Sequence, residues 1–133
     1  MSTFHLKIST PDGMIFEGDV ERLRVRMIDG DICLLAHHAD YVSAVGAGEA
    51  ALTFEDGQQR TAACIGGMLA MIKNEAHLIA TTFEWADQID LDRAKRAKER
   101  AQERLKAAKE DRRETMLAQA KLQRALVRIN VKH

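Results

Sequence analysis

The chain has 133 residues, with 20 Lys+Arg against 20 Asp+Glu and a formal net charge of zero. A 46% hydrophobic and 30% charged composition excludes a low-hydrophobicity disordered chain. No apolar run reaches the ~18 residues of a bilayer span, and two cysteines, Cys33 and Cys64, are too few for a disulfide framework. Both cysteines are expected to be small buried apolar residues of a reducing compartment.

The zero balance hides two halves. Residues 1–86 carry 6 Lys+Arg and 12 Asp+Glu, a balance of −6, and residues 87–133 carry the other 14 and 8, a balance of +6. All eight glycines lie between Gly13 and Gly67, and the only proline is Pro11. Turn formers are thus confined to the first part. The expected architecture is α+β in β-then-α order, with domains at 1–86 and 87–133.

In the first part, Phe4, Leu6 and Ile8 alternate with His5, Lys7 and Ser9, and Pro11-Asp12-Gly13 supplies a turn. Leu23, Val25 and Met27 alternate with Arg22, Arg24 and Arg26, a half-buried strand that ends at Asp29-Gly30. Leu52–Phe54 and Thr61–Ile65 flank a hairpin signal at Glu55-Asp56-Gly57-Gln58. Met68–Ile72 and His77–Thr82 flank another at Lys73-Asn74-Glu75. Strands recurring every 8–12 residues predict an antiparallel sandwich or flattened barrel.

In the second part, Asp90 is the expected N-cap, with Asp92 in the first helical turn. Leu91, Ala94, Ala97, Ala101, Leu105 and Ala108 form one apolar stripe; Ala118, Leu122, Ala125 and Ile129, with Leu126 beside them, form a second. The polar run Lys109–Glu114 between them holds no helix breaker, so the sequence permits a hairpin or one long helix. Each buried methyl contributes only about 0.8 kcal/mol, so a mostly alanine stripe predicts weak self-association and an element able to change partners. Arg93, Arg96, Arg100 and Arg104 recur at spacings of 3, 4 and 4, and Arg124 and Arg128 are an i, i+4 pair. They read either as a solvated face relieved by Glu99, Glu103 and Glu110, or as a surface for an acidic partner or phosphate groups. Trp85 and Met116 are expected to pack at the border of the two parts.

Four segments, in order, carry a family resemblance over essentially the whole chain. They are Ser9–Glu21, with its Pro-Asp-Gly turn and Asp-Val-Glu ending; Gly30–Tyr41, with His38-Ala39; Ile65-Gly66-Gly67-Met68-Leu69; and Ile89-Asp90-Leu91-Asp92-Arg93-Ala94. Together they resemble the epsilon subunit of F-type (rotary) ATP synthase. Ala36 and Asp40 stand where the family has prolines.

The resemblance implies a β-sandwich of about ten strands followed by an α-helical hairpin. It implies a non-catalytic rotor subunit that couples proton or sodium transport to ATP synthesis and inhibits ATP hydrolysis through its C-terminal helices. Its implied partners are gamma, the c-subunit ring and, with the helices extended, an acidic loop of beta. Arg96, Arg100, Arg104, Arg112 and Arg113 are the candidate contacts for that loop. No cofactor is required, but some bacterial members bind regulatory ATP, for which the matching positions are Glu84, Ile89, Asp90, Arg93, Arg100, Arg124 and Arg128. The implied location is the cytoplasmic face of a bacterial inner membrane, peripheral and without insertion. The N-terminus favours this over an organelle, since Met1–His5 has neither signal nor transit character.

No catalytic or metal site is expected: there is no phosphate-loop motif, Ser43 lacks a nucleophile elbow, and His37-His38 has no second ligand pair. The alternative function is a free-standing polyanion- or nucleic-acid-binding module that uses the basic helices. Without an aromatic residue after Trp85, those helices offer no base stacking.

Overall fold

The computed structural model describes residues 2–108 and 110–132. Eight strands come first: β1 (Phe4–Thr10), β2 (Gly13–Val20), β3 (Arg22–Met27), β4 (Gly30–Leu35), β5 (Tyr41–Ala44), β6 (Ala47–Thr53), β7 (Gln59–Ile72) and β8 (Glu75–Trp85). A 3₁₀ turn at Ala86–Gln88 leads to helices α1 (Leu91–Ala108) and α2 (Arg112–Lys132). The sheet order is β2-β1-β8-β7-β6-β3-β4, with β5 also paired to β7. Neighbours are antiparallel except β1 and β8, which are parallel.

The expectation of about ten strands becomes eight because two long strands each serve both halves of the sandwich. The first half of β7 pairs with β6 through Gln59–Ile65, and the second pairs with β5 through Met68–Met71. Between them, Gly66 and Gly67 have φ of +74° and +112°, and a Cβ on Gly67 would collide with the Ile79 carbonyl oxygen. Only glycine lets the strand turn there. Counted half by half, β7 and β8 bring the eight strands to ten strand segments.

Period-2 patterning places the core. Phe4, Leu6 and Ile8 from β1, Leu23, Val25 and Met27 from β3, and Leu69, Met71 and Leu78 from β7 and β8 are all buried in one cluster. Their alternates His5, Arg24 and Arg26 face outward, where Arg24 donates to Glu49 at 2.6 Å. Cys64 lies in the core and burial pushes its thiol pKa to about 12. Cys33 corrects the sequence reading. It is exposed, because β4 is an end strand of the sheet and position 33 alternates with the inward Leu34.

Asp40, one departure from the family prolines, accepts the Lys73 N–H at 2.9 Å, and Asn74 Oδ1 accepts the His37 N–H at 2.6 Å. These two bonds tie the loop after β4 to the β7–β8 turn, where Lys73 and Asn74 both have positive φ. Side-chain acceptors do here what a fixed proline φ does elsewhere.

The helices form a hairpin, which settles the choice the sequence left open. Asp90 Oδ1 accepts the Arg93 N–H at 3.0 Å, and Asp111 Oδ1 accepts the Glu114 N–H at 3.2 Å. Two N-caps mean two helix starts; Lys109, part of the connecting run, lies outside the described residues. Ala94 and Ala101 of α1 and Ala118 and Ala125 of α2 are buried between the two helices. Met116 is 62% exposed, so it does not pack at the border. It sits on the outward face of α2 with Leu126, whereas Trp85 is buried against Phe83 and beneath the Arg60 guanidinium.

Candidate functional site

The hairpin meets the sandwich chiefly through α2, which lies against β6 and β7, while α1 packs on α2. The apolar part of this contact is small: Ala63, Ile89 and Val131, with Ala86 and Val127 at its rim. Two polar links join it. Arg128 Nε donates to Glu84 Oε1 at 2.8 Å, and Lys132 Nζ donates to the Ala86 carbonyl at 3.0 Å.

Both helices and the adjoining end of the sandwich line a groove of about 590 Å³. Its floor is alanine: Ala94, Ala97, Ala101 and Ala125. Small side chains leave room between backbones that larger ones would fill. Its walls are cationic: Arg93, Arg100 and Arg104 come from α1, and Lys121, Arg124 and Arg128 from α2. Glu84, Gln88 and Asp90 close the sandwich end. Among the described residues only Arg128 of these six cations is in a salt bridge. Unpaired guanidinium groups facing one another across an alanine floor form a receptacle for anions, and for phosphate oxygens in particular.

Six of the seven candidate ligand positions line this one space: Glu84, Asp90, Arg93, Arg100, Arg124 and Arg128. Ile89 does not; it is 4% exposed and belongs to the apolar contact beneath the hairpin. The five candidate partner contacts divide. Arg100 and Arg104 line the groove, whereas Arg96, Arg112 and Arg113 are exposed outside it. Gln88 and Lys121 also line it, unmarked by the sequence reading. Helical spacing held the signal for Lys121, which precedes Arg124 by three residues and so shares its face. Asp90 serves at once as helix cap and groove wall, its carboxylate already engaged by one backbone N–H.

A family described as "ATP synthase, Delta/Epsilon chain, beta-sandwich domain" matches residues 3–86, and "ATP synthase, Delta/Epsilon chain, long alpha-helix domain" matches residues 87–132. The chain belongs to the epsilon-subunit family of F-type ATP synthase. The ATP synthase epsilon chain of Shouchella clausii is 35% identical over 131 residues, covering 98% of this chain and 96% of its own length. That of Caldanaerobacter subterraneus is 34% identical over 129 residues, covering 97% and 93%. The sodium-ion-specific ATP synthase epsilon chain of Acetobacterium woodii is 37% identical over 103 residues, covering 77% of each chain. In fold, a chain of the Euglena gracilis mitochondrial ATP synthase OSCP/F1/c-ring structure superposes with a TM-score of 0.89 at 17% identity, covering 100% of this chain and 83% of that one. Epsilon subunits are accessory and non-catalytic. No helix among the described residues is long and apolar enough to cross a membrane.

Proposed function

We propose that this epsilon-family chain works in the central stalk of a rotary ATP synthase, coupling proton or sodium-ion passage to ATP synthesis and restraining ATP hydrolysis through its helices. In this reading the sandwich, residues 1–86, joins gamma and the c-subunit ring. The assembly lies at the cytoplasmic face of a bacterial inner membrane. The hairpin, residues 87–133, is the regulatory element: undocked and extended, it presents Arg96, Arg100, Arg104, Arg112 and Arg113 to an acidic loop of beta. ATP in the groove, held by Arg93, Arg100, Arg124 and Arg128 with Glu84 and Asp90 at its base end, favours the compact form.

The observation that carries this reading is the imbalance at the hairpin. Among the described residues a single small apolar cluster and two polar links hold it down, and five groove cations have no carboxylate partner. Such an element is lightly held and gains from meeting negative charge, whether a ligand's or a partner's. The test is deletion of residues 88–133 in the assembled enzyme. Assembly with gamma and the c ring is retained and ATP hydrolysis rises severalfold. Unchanged hydrolysis would remove the inhibitory role.

A further inference from the structure

The sandwich ends at Trp85 and α1 begins at Leu91, so any movement of the hairpin against the sandwich turns about residues 86–90. The end of the chain is folded back onto this link. Arg128 and Lys132 are an i, i+4 pair and share one face of α2. Arg128 Nε donates to Glu84 Oε1 at 2.8 Å, and Lys132 Nζ donates to the Ala86 carbonyl at 3.0 Å. The last turn of α2 thus grips the chain on both sides of Trp85, where it leaves the sheet. The Ala86 carbonyl also accepts the Ile89 N–H at 3.3 Å, the bond that closes the 3₁₀ turn, so Lys132 holds that turn through its own acceptor. Ile89 has an extended backbone, and its side chain is buried in one cluster with Val131 and Ala63. Rotation at Ile89 must draw its side chain out of that cluster, away from Val131. α1, by contrast, is tied down chiefly by its packing on α2.

We infer that the last turn of α2, through Val131 and Lys132, is a strap that locks the hinge at residues 86–90, so that the hairpin opens from its carboxyl end. The lock is a property of the chain by itself; its effect on hydrolysis rests on the regulatory role proposed above. That effect has the opposite sign to removal of the helices. Deleting residues 88–133 abolishes the inhibitory arm, whereas loosening the strap frees the arm and deepens inhibition.

The test uses Lys132→Met and the double variant Val131→Ala/Lys132→Met. Position 132 is exposed, and methionine keeps the helix propensity of lysine but cannot donate. In native-state hydrogen exchange of the full chain, amides throughout both α1 and α2 exchange about fivefold faster in Lys132→Met, the scale of one lost hydrogen bond. They exchange faster again in the double variant, with the strands unchanged. Acceleration confined to the last turn of α2 would overturn the lock. In the assembled enzyme the double variant hydrolyses ATP more slowly than wild type. A raised or unchanged rate, where deletion of residues 88–133 raises it, would overturn the strap's part in regulation. Coupled exchange of both helices, with hydrolysis unchanged by the double variant and by the deletion alike, would defeat the inhibitory reading and leave the strap standing.

Discussion

His5 shows how one outward position on a strand becomes a charged clasp. Its Nε2 lies 2.8 Å from Glu17 and its Nδ1 3.0 Å from Asp19, both on β2. Lys7 follows on β1, and Glu75 and His77 face this stretch from β8. The hydrogen bonds to Glu17 and then Asp19 raise the His5 pKa above its ordinary 6.5, and the bond to His5 lowers that of Glu17 below 4.5. Both ring nitrogens can donate only when the imidazole is protonated. For His5 the raised value means a stabilising contribution fully present below pH 6.5 and lost as pH rises through the folded pKa. For Glu17 the lowered value means a contribution present above pH 4.5 and lost as pH falls through its folded pKa. The clasp is therefore strongest between about pH 4.5 and 6.5. An NMR titration of His5 should give a midpoint above 6.5, and Glu17→Gln should lower it; a midpoint unmoved by the substitution would mean that Glu17 does not hold the ring. The pairing of His5 with β2 was not legible in the sequence, because register is a property of two strands. Cys33 was misread for a related reason: its residue type favours burial, but its place in the β4 alternation decides exposure.

At the scale of elements, the strands were the legible part. Alternation at Phe4–Ser9 and Arg22–Met27 and the turn chemistry at Asp56-Gly57 and Lys73-Asn74 gave the hairpins, because burial on one face forces a period of two. The break between helices was not legible. Asp111 supplies a capping oxygen followed by Glu114, the arrangement of a capping box, yet no glycine or proline marks the end of α1, so the pattern was equally that of one continuous helix. The groove was half legible: the resemblance gave seven of its lining residues, six as ligand positions and Arg104 as a partner contact, but its alanine floor read only as an apolar stripe. The same alanines bear on stability. Beneath the hairpin, Val131 is one of only three buried residues in the docking cluster. Val131→Ala should weaken docking by about 1 kcal/mol. Native-state hydrogen exchange is the measurement: amides of α2 should exchange roughly five- to tenfold faster, with β1, β7 and β8 unchanged. Equal acceleration in strands and helices would mean that the hairpin and sandwich open as one unit.

Across the whole molecule, charge and packing divide the chain at the same place. The central cluster is drawn from Phe4 through Trp85 and takes nothing from either helix, so the acidic part carries a complete core. Among the described residues the basic part has no comparable core; its buried residues are Ile89, four alanines and Val131, and most of the stability of its helices, 18 and 21 residues long, comes from tertiary packing. The two parts should therefore differ in autonomy. A fragment of residues 1–86 is expected to unfold cooperatively, with a stability within about 2 kcal/mol of the sandwich in the full chain. This is because truncation costs it only the docking cluster. A fragment of residues 87–133 is expected to be mostly unfolded at low salt, where its +6 balance is least screened. It should gain helix when a polyanion such as inorganic triphosphate is added. Dichroism of the two fragments decides it. Cooperative folding of 87–133 alone would show that the hairpin needs neither sandwich nor ligand, and a sandwich fragment unfolded without its helices would show that docking is part of the core. The expected outcome, a firm body bearing an arm whose structure is conditional on contact with negative charge, is the asymmetry that the proposed regulatory role requires. In that proposal the sandwich stays fixed to its neighbours while the arm alone changes state.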